Sequence, residues 1–204
     1  ASSGYGYLHD GLSKIAQRVQ MAHPGHLRLI FKSKRKHNRV DAEKLAKLQY
    51  LDEVPQAYAP REEIRNWRAT IEHRHKLLGR RTASKNQLRA LLKEQGVEAP
   101  EGLWNKKGMN WLKQLELNES QALRRDILLT VIQTLNEQIK RVEKHLKKVA
   151  DSHPQVALLM TIPGVGIRTA EVFCAYVDNI NRFGRIKQVG TYFGLVPRQD
   201  ASGN

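Results

Sequence analysis

The sequence predicts a mainly α-helical chain, and three observations carry that expectation. Apolar residues recur at three- and four-residue steps through two long stretches, Glu62–Gln95 and Asn118–Ala150. Proline falls between these stretches and never inside them. A single short segment, Val19–Ala22, has strand character, and one strand is too few for a sheet.

Taken in order, residues 1–55 read as mixed α/β. Tyr7–Arg18 sets Leu8, Leu12, Ile15 and Val19 on one helix face. Val19–Ala22 is the strand candidate, closed by His23-Pro24-Gly25, and Leu27–Ser33 is a short helix. A basic run, Lys32–His37, leads into a helix over Asp41–Leu51 with Leu45, Leu48 and Leu51 on its buried side. Residues 56–151 form a helical insert. Its first long helix carries Ile64, Trp67, Ile71, Leu78, Leu88 and Leu92, and stops at Gly96 and Pro100. Its second carries Leu128, Val131, Leu135, Ile139, Val142, Leu146 and Val149, the seam of a coiled coil or an antiparallel hairpin. Residues 152–204 read as helix, glycine-rich turn, helix and loops. The first residue is Ala1 and the last are Ser202-Gly203-Asn204, which reads as a piece of a longer protein.

Charge narrows the function classes. Thirty-five Lys and Arg face twenty Asp and Glu, a net charge of +15. Such an excess repels itself in a compact state and calls for a polyanionic partner. The first long helix holds Arg61, Arg65, Arg68, Arg74, Arg80, Arg81, Lys85 and Arg89 against only Glu62, Glu63 and Glu72, which favours a polyanion groove. No apolar run reaches the roughly 18–20 residues that span a bilayer, and no segment resembles a signal peptide. The lone Cys174 lies in an apolar helical pattern, as a core cysteine in a reducing cytoplasm does.

The strongest local motif is Thr161-Ile162-Pro163-Gly164-Val165-Gly166-Ile167-Arg168-Thr169-Ala170. Two glycines in a tight turn before a helix form the pattern of a helix-hairpin-helix, whose backbone N–H groups point at a phosphate. Pro163, Gly164, Val165, Gly166, Arg168 and Thr169 are the candidate contacts, and a ligand-free corner is the alternative. Lys34, Arg35, Lys36 and Arg39 form a second basic cluster, which alone reads more readily as a solvated surface loop. Alone, Asp41 is an N-terminal helix acid and Ser202 a loop serine. The eight histidines show no metal-ligand spacing.

Read together, these motifs resemble the DEDD insertion-sequence transposases, also described as bridge-RNA-guided recombinases and related to Piv-type DNA invertases. Lys36-His37-Asn38-Arg39-Val40-Asp41-Ala42-Glu43-Lys44-Leu45-Ala46 is similar to that family's Lys-Thr-Asp-Arg-x-Asp-Ala-x-x-Leu-Ala. Ile162 to Ala170, Arg182-Phe183, Tyr192-Phe193-Gly194-Leu195-Val196-Pro197 and Ser202-Gly203 resemble its C-terminal domain, and the long helical pair resembles its coiled-coil insert. The resemblance implies the C-terminal part of an RNase-H-like (RuvC-like) α/β domain over 1–55, a coiled-coil hairpin over 56–151, and a helical transposase domain with a helix-hairpin-helix over 152–204. It implies Mg²⁺ held by four acids, of which Asp41 is the last, and a serine nucleophile at Ser202. Asn38 stands where the family has its third Asp, a degenerate ligand that offers an oxygen but no charge. The first Asp and the Glu of the set are expected upstream of Ala1.

The implied activity is metal-dependent DNA strand cleavage and exchange by the longer parent, in a bacterial cytoplasm at the nucleoid. Its partners would be DNA, a structured guide RNA and further copies of itself, a dimer or tetramer through the coiled coil, with no membrane. The alternative is a non-catalytic basic module that binds DNA or RNA, or a decayed transposase, and Asn38 favours it.

Overall fold

The computed structural model describes residues 4–30 and 38–195, and the chain divides into two compact units, residues 1–65 and 66–204. The described residues are mainly helical, as expected.

Within residues 1–65 lie α1 (Tyr5–Leu12), α2 (Pro24–Ile30) and α3 (Asn38–Tyr50). The strand expected over Val19–Ala22 is reduced to one antiparallel bridge, Ala22 with Gln56. His23 N–H donates to the Pro55 carbonyl at 2.7 Å and Ala57 N–H to that of Met21 at 2.6 Å. No longer ladder forms among the described residues. Two expected apolar faces stay uncovered: Leu8 is 58% exposed and Ile15 84%, and neither α1 nor α3 buries any residue. An amphipathic helix buries its stripe only where a second layer exists to receive it, and the described residues of this unit contain no sheet. Leu45, expected inside, is 39% exposed and Leu51 60%.

Residues 66–204 are organised by two long helices, α4 (Glu62–Glu94) and α6 (Glu119–Asp151). They run antiparallel, because partners climb one helix as they descend the other. Arg74 Nε donates to Glu143 Oε1 at 2.8 Å, Arg81 to Asn136 Oδ1 at 3.1 Å, and Arg124 to Glu94 at 3.2 Å. Asn118 starts α6 with a capping box, its side chain accepting from Gln121 N–H while the Gln121 side chain accepts from Asn118 N–H. Between them, α5 (Lys106–Gln114) closes the hairpin's end. Leu103 and Leu112 join Leu88, Leu92, Leu129 and Ile132 in one core, with Trp104 and Trp111 packed at its edge.

Two expectations shift by one residue. Leu77 is buried where Leu78 was expected, and in α6 Leu129 and Ile132 are the fully buried positions, with Leu128 half-buried against the same core and Val131 40% exposed. The α6 shift follows from Arg125, which is 8% exposed and donates to the carbonyl of Leu115 at 2.8 Å. That bond turns the face carrying Arg125, Leu129 and Ile132 inward, since these positions lie one turn apart.

A smaller helical corner follows: α7 (Pro154–Met160), α8 (Ile167–Val177), a 3₁₀ turn (Ile180–Arg182) and α9 (Lys187–Tyr192). The C-terminal carbonyls of a helix lack intrahelical donors, and here two arginines supply them. Arg68 Nε donates to the Ala175 carbonyl at 2.7 Å, and Arg182 donates to those of Val177 at 3.0 Å and Tyr176 at 2.9 Å. The Arg182 guanidinium also lies 4.2 Å from the Phe183 ring centre and 4.6 Å from that of Tyr192. Arg182→Ala should therefore destabilise this corner by about 2 kcal/mol, the combined scale of a charged hydrogen bond and a cation–π interaction. Chemical denaturation checks it, and an unchanged midpoint would dismiss the clamp.

Candidate nucleic-acid interface

The turn between α7 and α8 is built by local chemistry. Val165 N–H donates to the Ile162 carbonyl at 3.0 Å, closing four residues with Pro163 second and Gly164 third. Gly164 has φ +84°, the left-handed conformation that the third residue of a type II turn requires. Pro163 supplies the fixed φ of the second residue.

Gly166 is different. Its φ of −84° and ψ of 166° suit any residue. A Cβ added there would meet nothing within 4 Å. Neither conformation nor packing inside the chain asks for glycine at this position. Gly166 is also the N-cap of α8 and brings no capping side chain, so the first-turn N–H groups of Ile167, Arg168 and Thr169 receive no cap from it. The helix first closes with Ala170 N–H on the Gly166 carbonyl at 3.0 Å. Pro163, Gly164, Gly166 and Thr169 are solvent-exposed or partly so, and Val165 is half-buried. The result is an open, uncapped helix start with bare backbone, at the positive end of the helix dipole.

Arg168 is placed otherwise than a phosphate ligand would be. Its Nη1 donates to both Glu171 carboxylate oxygens at 2.9 and 2.8 Å, and its Nη2 reaches the Glu143 carbonyl at 3.4 Å. Glu171 is only 1% exposed. The Arg168 side chain thus holds α8 against α6, and its backbone N–H is the group left in the uncapped turn.

In the other unit, Asn38 is the first residue of α3 and Asp41 an acid of its first turn. Three residues apart, they share a helix face. Lys34, Arg35, Lys36 and Ser202 lie outside the described residues. Among the described residues, no group of three His, Cys, Asp or Glu side chains is arranged to hold a metal ion. Asp41 and Asn38 offer one carboxylate and one neutral carbonyl, short of the set that a Mg²⁺ site draws on. The expected fit to the metal is therefore incomplete here.

Sequence reasoning passed over several of these groups. Glu171 was readable in principle, as an acid three residues after Arg168 on the same face. Arginines at 68, 74 and 81 read as excess charge, yet each donates to another helix of the same unit. Their partners are more than fifty residues away in sequence. Tyr176 donates to Glu72 at 3.0 Å, and burial, then that bond, pushes its phenol up to about 12, so it stays a donor at neutral pH. Burial raises the Cys174 thiol, but the side chain is only half-buried and stands outside the buried core, short of the core cysteine expected from sequence. No helix among the described residues is long and apolar enough to cross a membrane.

Residues 156–204 match the family model described as Transposase IS116/IS110/IS902 family, and that span contains the whole turn. The chain is 31% identical over 192 residues to the transposase for insertion sequence element IS1111A of Coxiella burnetii, covering 91% of this chain and 52% of that protein. It is 25% identical over 205 residues to the transposase for insertion sequence element IS1328 of Yersinia enterocolitica, covering 98% of this chain and 60% of that one. A 43.6 kDa protein of insertion element IS110 from Streptomyces coelicolor is 30% identical over 76 residues, covering 37% of this chain and 19% of that protein. These matches support an IS110-family insertion-sequence transposase as the protein this chain resembles. It spans between half and two-thirds of the length of the first two relatives.

Proposed function

We propose that this chain forms the nucleic-acid-binding part of a DNA transposase that moves an insertion element, and that the turn at Pro163–Thr169 is a helix-hairpin-helix seat for a backbone phosphate. The observation that carries the binding role is Gly166, a glycine that neither conformation nor packing explains and that caps α8 with no side chain. Close approach of an anion to the backbone would account for it at an uncapped helix start. The relatives named as transposases support DNA as the partner.

The catalytic reading extends this. In the whole protein, Ser202 would attack a DNA phosphodiester, its oxygen bonding to phosphorus while the strand's own oxygen leaves. Asp41 would be a ligand in an RNase-H-like domain, and Asn38 a weak, neutral one. When bound, Mg²⁺ would neutralise charge on the transferring phosphate. A structured RNA guide and assembly into dimers or tetramers complete the proposal. The second reading, a binding module without catalysis, is favoured by Asn38, a neutral residue where the resembled family has its third Asp.

Gly166→Asp separates binding from folding. An Asp cap should stabilise α8 by a few tenths of a kcal/mol, by accepting from the first-turn N–H groups and facing the helix dipole. The same carboxylate would occupy and repel a phosphate. Affinity for duplex DNA should fall about tenfold or more while the melting temperature holds or rises. Unchanged affinity would remove the turn from the interface.

A further inference from the structure

The closed end of the α4–α6 hairpin carries a second concentration of charge, away from the glycine turn in sequence. Arg81, Lys85, Arg89 and Lys93 follow one another at four-residue intervals along α4. Twelve residues of helix extend the row over about 18 Å. Lys85 Nζ sits 4.6 Å from the centre of the Trp104 ring and the Arg89 guanidinium 5.6 Å. The indole thus gathers two cations on one spot. Arg81 makes a hydrogen bond to neutral Asn136. Among the described residues, none of the four forms an ion pair. The nearby Glu94 is engaged by Arg124. Past the row, Arg89 and Lys93 line an open cleft of about 450 Å³ floored by Leu92 and Val97, with Glu98 as the acid on its wall.

This crowding is not neutral to the fold. Burial, then the charges of Arg81 and Arg89, pull the Lys85 ammonium below its ordinary value. Like charges held together in this way repel, and a polyanion relieves the repulsion. Elsewhere on the same helix, arginines are absorbed by Glu143 and by helix carbonyls. Here Arg81 alone is tied to another helix, through a neutral amide, while Lys85 and Arg89 are held against an aromatic ring with no acid paired to either.

We infer that the row Arg81–Lys85–Arg89–Lys93, braced by Trp104, is a second nucleic-acid contact that tracks a phosphodiester backbone. The inference rests on the proposed nucleic-acid function and adds a site to it, distinct from the turn before α8. A DNA duplex and an RNA strand present the same backbone chemistry, so the row alone does not choose between them.

The test is the salt dependence of affinity. Each cation removed from a backbone contact lowers the slope of log affinity against log salt by about 0.9 for duplex DNA and about 0.7 for a single strand. Binding of the whole 204-residue chain to a random-sequence DNA duplex and to a mixed-sequence RNA strand would be measured across salt. The variants are Lys85→Gln/Arg89→Gln/Lys93→Gln and, because the triple change strips the cations from Trp104, the exposed single change Lys93→Gln. The triple variant should lose about 2.7 units of slope on the duplex or about 2.1 on the strand, and the single variant about one-third of that. The probe that shows the loss identifies the source of the backbone. Slopes equal to wild type on both probes overturn the inference. If Gly166→Asp still weakens binding in that case, the proposed function stands without the second contact. Failure of the unaltered chain to bind either probe overturns both.

Discussion

Arg168→Ala should destabilise residues 66–204 by about 3 kcal/mol, well above the change expected for Glu171→Gln at the other end of the same ion pair. The reason is the asymmetry of burial. The Glu171 side chain is 1% exposed and the Arg168 side chain 31%. Removing the arginine strands a carboxylate with no route to water, which is the severe way of breaking a buried pair. Removing the acid's charge leaves a guanidinium that can turn outward and hydrate, and the glutamine can still accept one of its two bonds. Arg168→Lys should fall between, because an ammonium keeps the charge facing Glu171 but has no second nitrogen to reach the Glu143 carbonyl. Denaturant midpoints for the three variants give the ranking. Equal losses for Arg168→Ala and Glu171→Gln would show that the pair acts through packing and not through charge. A variant in which both are replaced by apolar residues should recover much of the loss, as buried pairs often do.

That pair also shows what was legible in the sequence. The turn was readable because its causes are local: proline second, glycine third, and a glycine at the helix start. The two long helices were readable because period and capping agree, and Asn118 with Gln121 marks the start of α6 within one residue. In α6 the seam's second half was readable, with Ile139 and Leu146 buried as expected, but the inward face of its first half was not. Ile127-Leu128-Leu129-Thr130-Val131-Ile132 offers apolar side chains in nearly every direction. The choice is made by Arg125 reaching the carbonyls of Leu112 and Leu115, an interaction that no periodicity encodes. The arginine clamp on α8 was hidden for a related reason. Arg68 reaches a carbonyl 107 residues away, and a guanidinium bound to backbone leaves no complementary acid in the sequence to be noticed. Counting arginines against acids on one helix therefore overstated the charge free for a polyanion. The part left over, Lys85 and Arg89 on Trp104, emerges only once the absorbed arginines are subtracted.

The chemistry proposed for the whole protein turns on two substitutions whose effects should have opposite signs. Ser202→Ala removes the only atom of that side chain able to form the covalent bond to phosphorus, so strand exchange should fall by roughly 10³-fold or more, as when other enzymes are deprived of a nucleophile. DNA affinity should stay within about twofold, because a hydroxyl adds little to binding dominated by backbone charge. Asn38→Asp restores a charge at the first residue of α3, three positions before Asp41. An acid there is also favoured by the helix dipole, by about 0.3–1 kcal/mol, so the change should not destabilise the fold. Its expected result is a lower Mg²⁺ concentration for half-maximal strand exchange, since a second carboxylate oxygen replaces a neutral carbonyl. Both are measured in the full-length protein on a DNA carrying the element's ends. Retained exchange in Ser202→Ala would dismiss the serine mechanism. A wild type inert at every Mg²⁺ concentration, with DNA binding intact and Asn38→Asp active, would place the loss of catalysis at Asn38 itself. Were both forms inert while binding persists, the module without catalysis would be the better account of the protein.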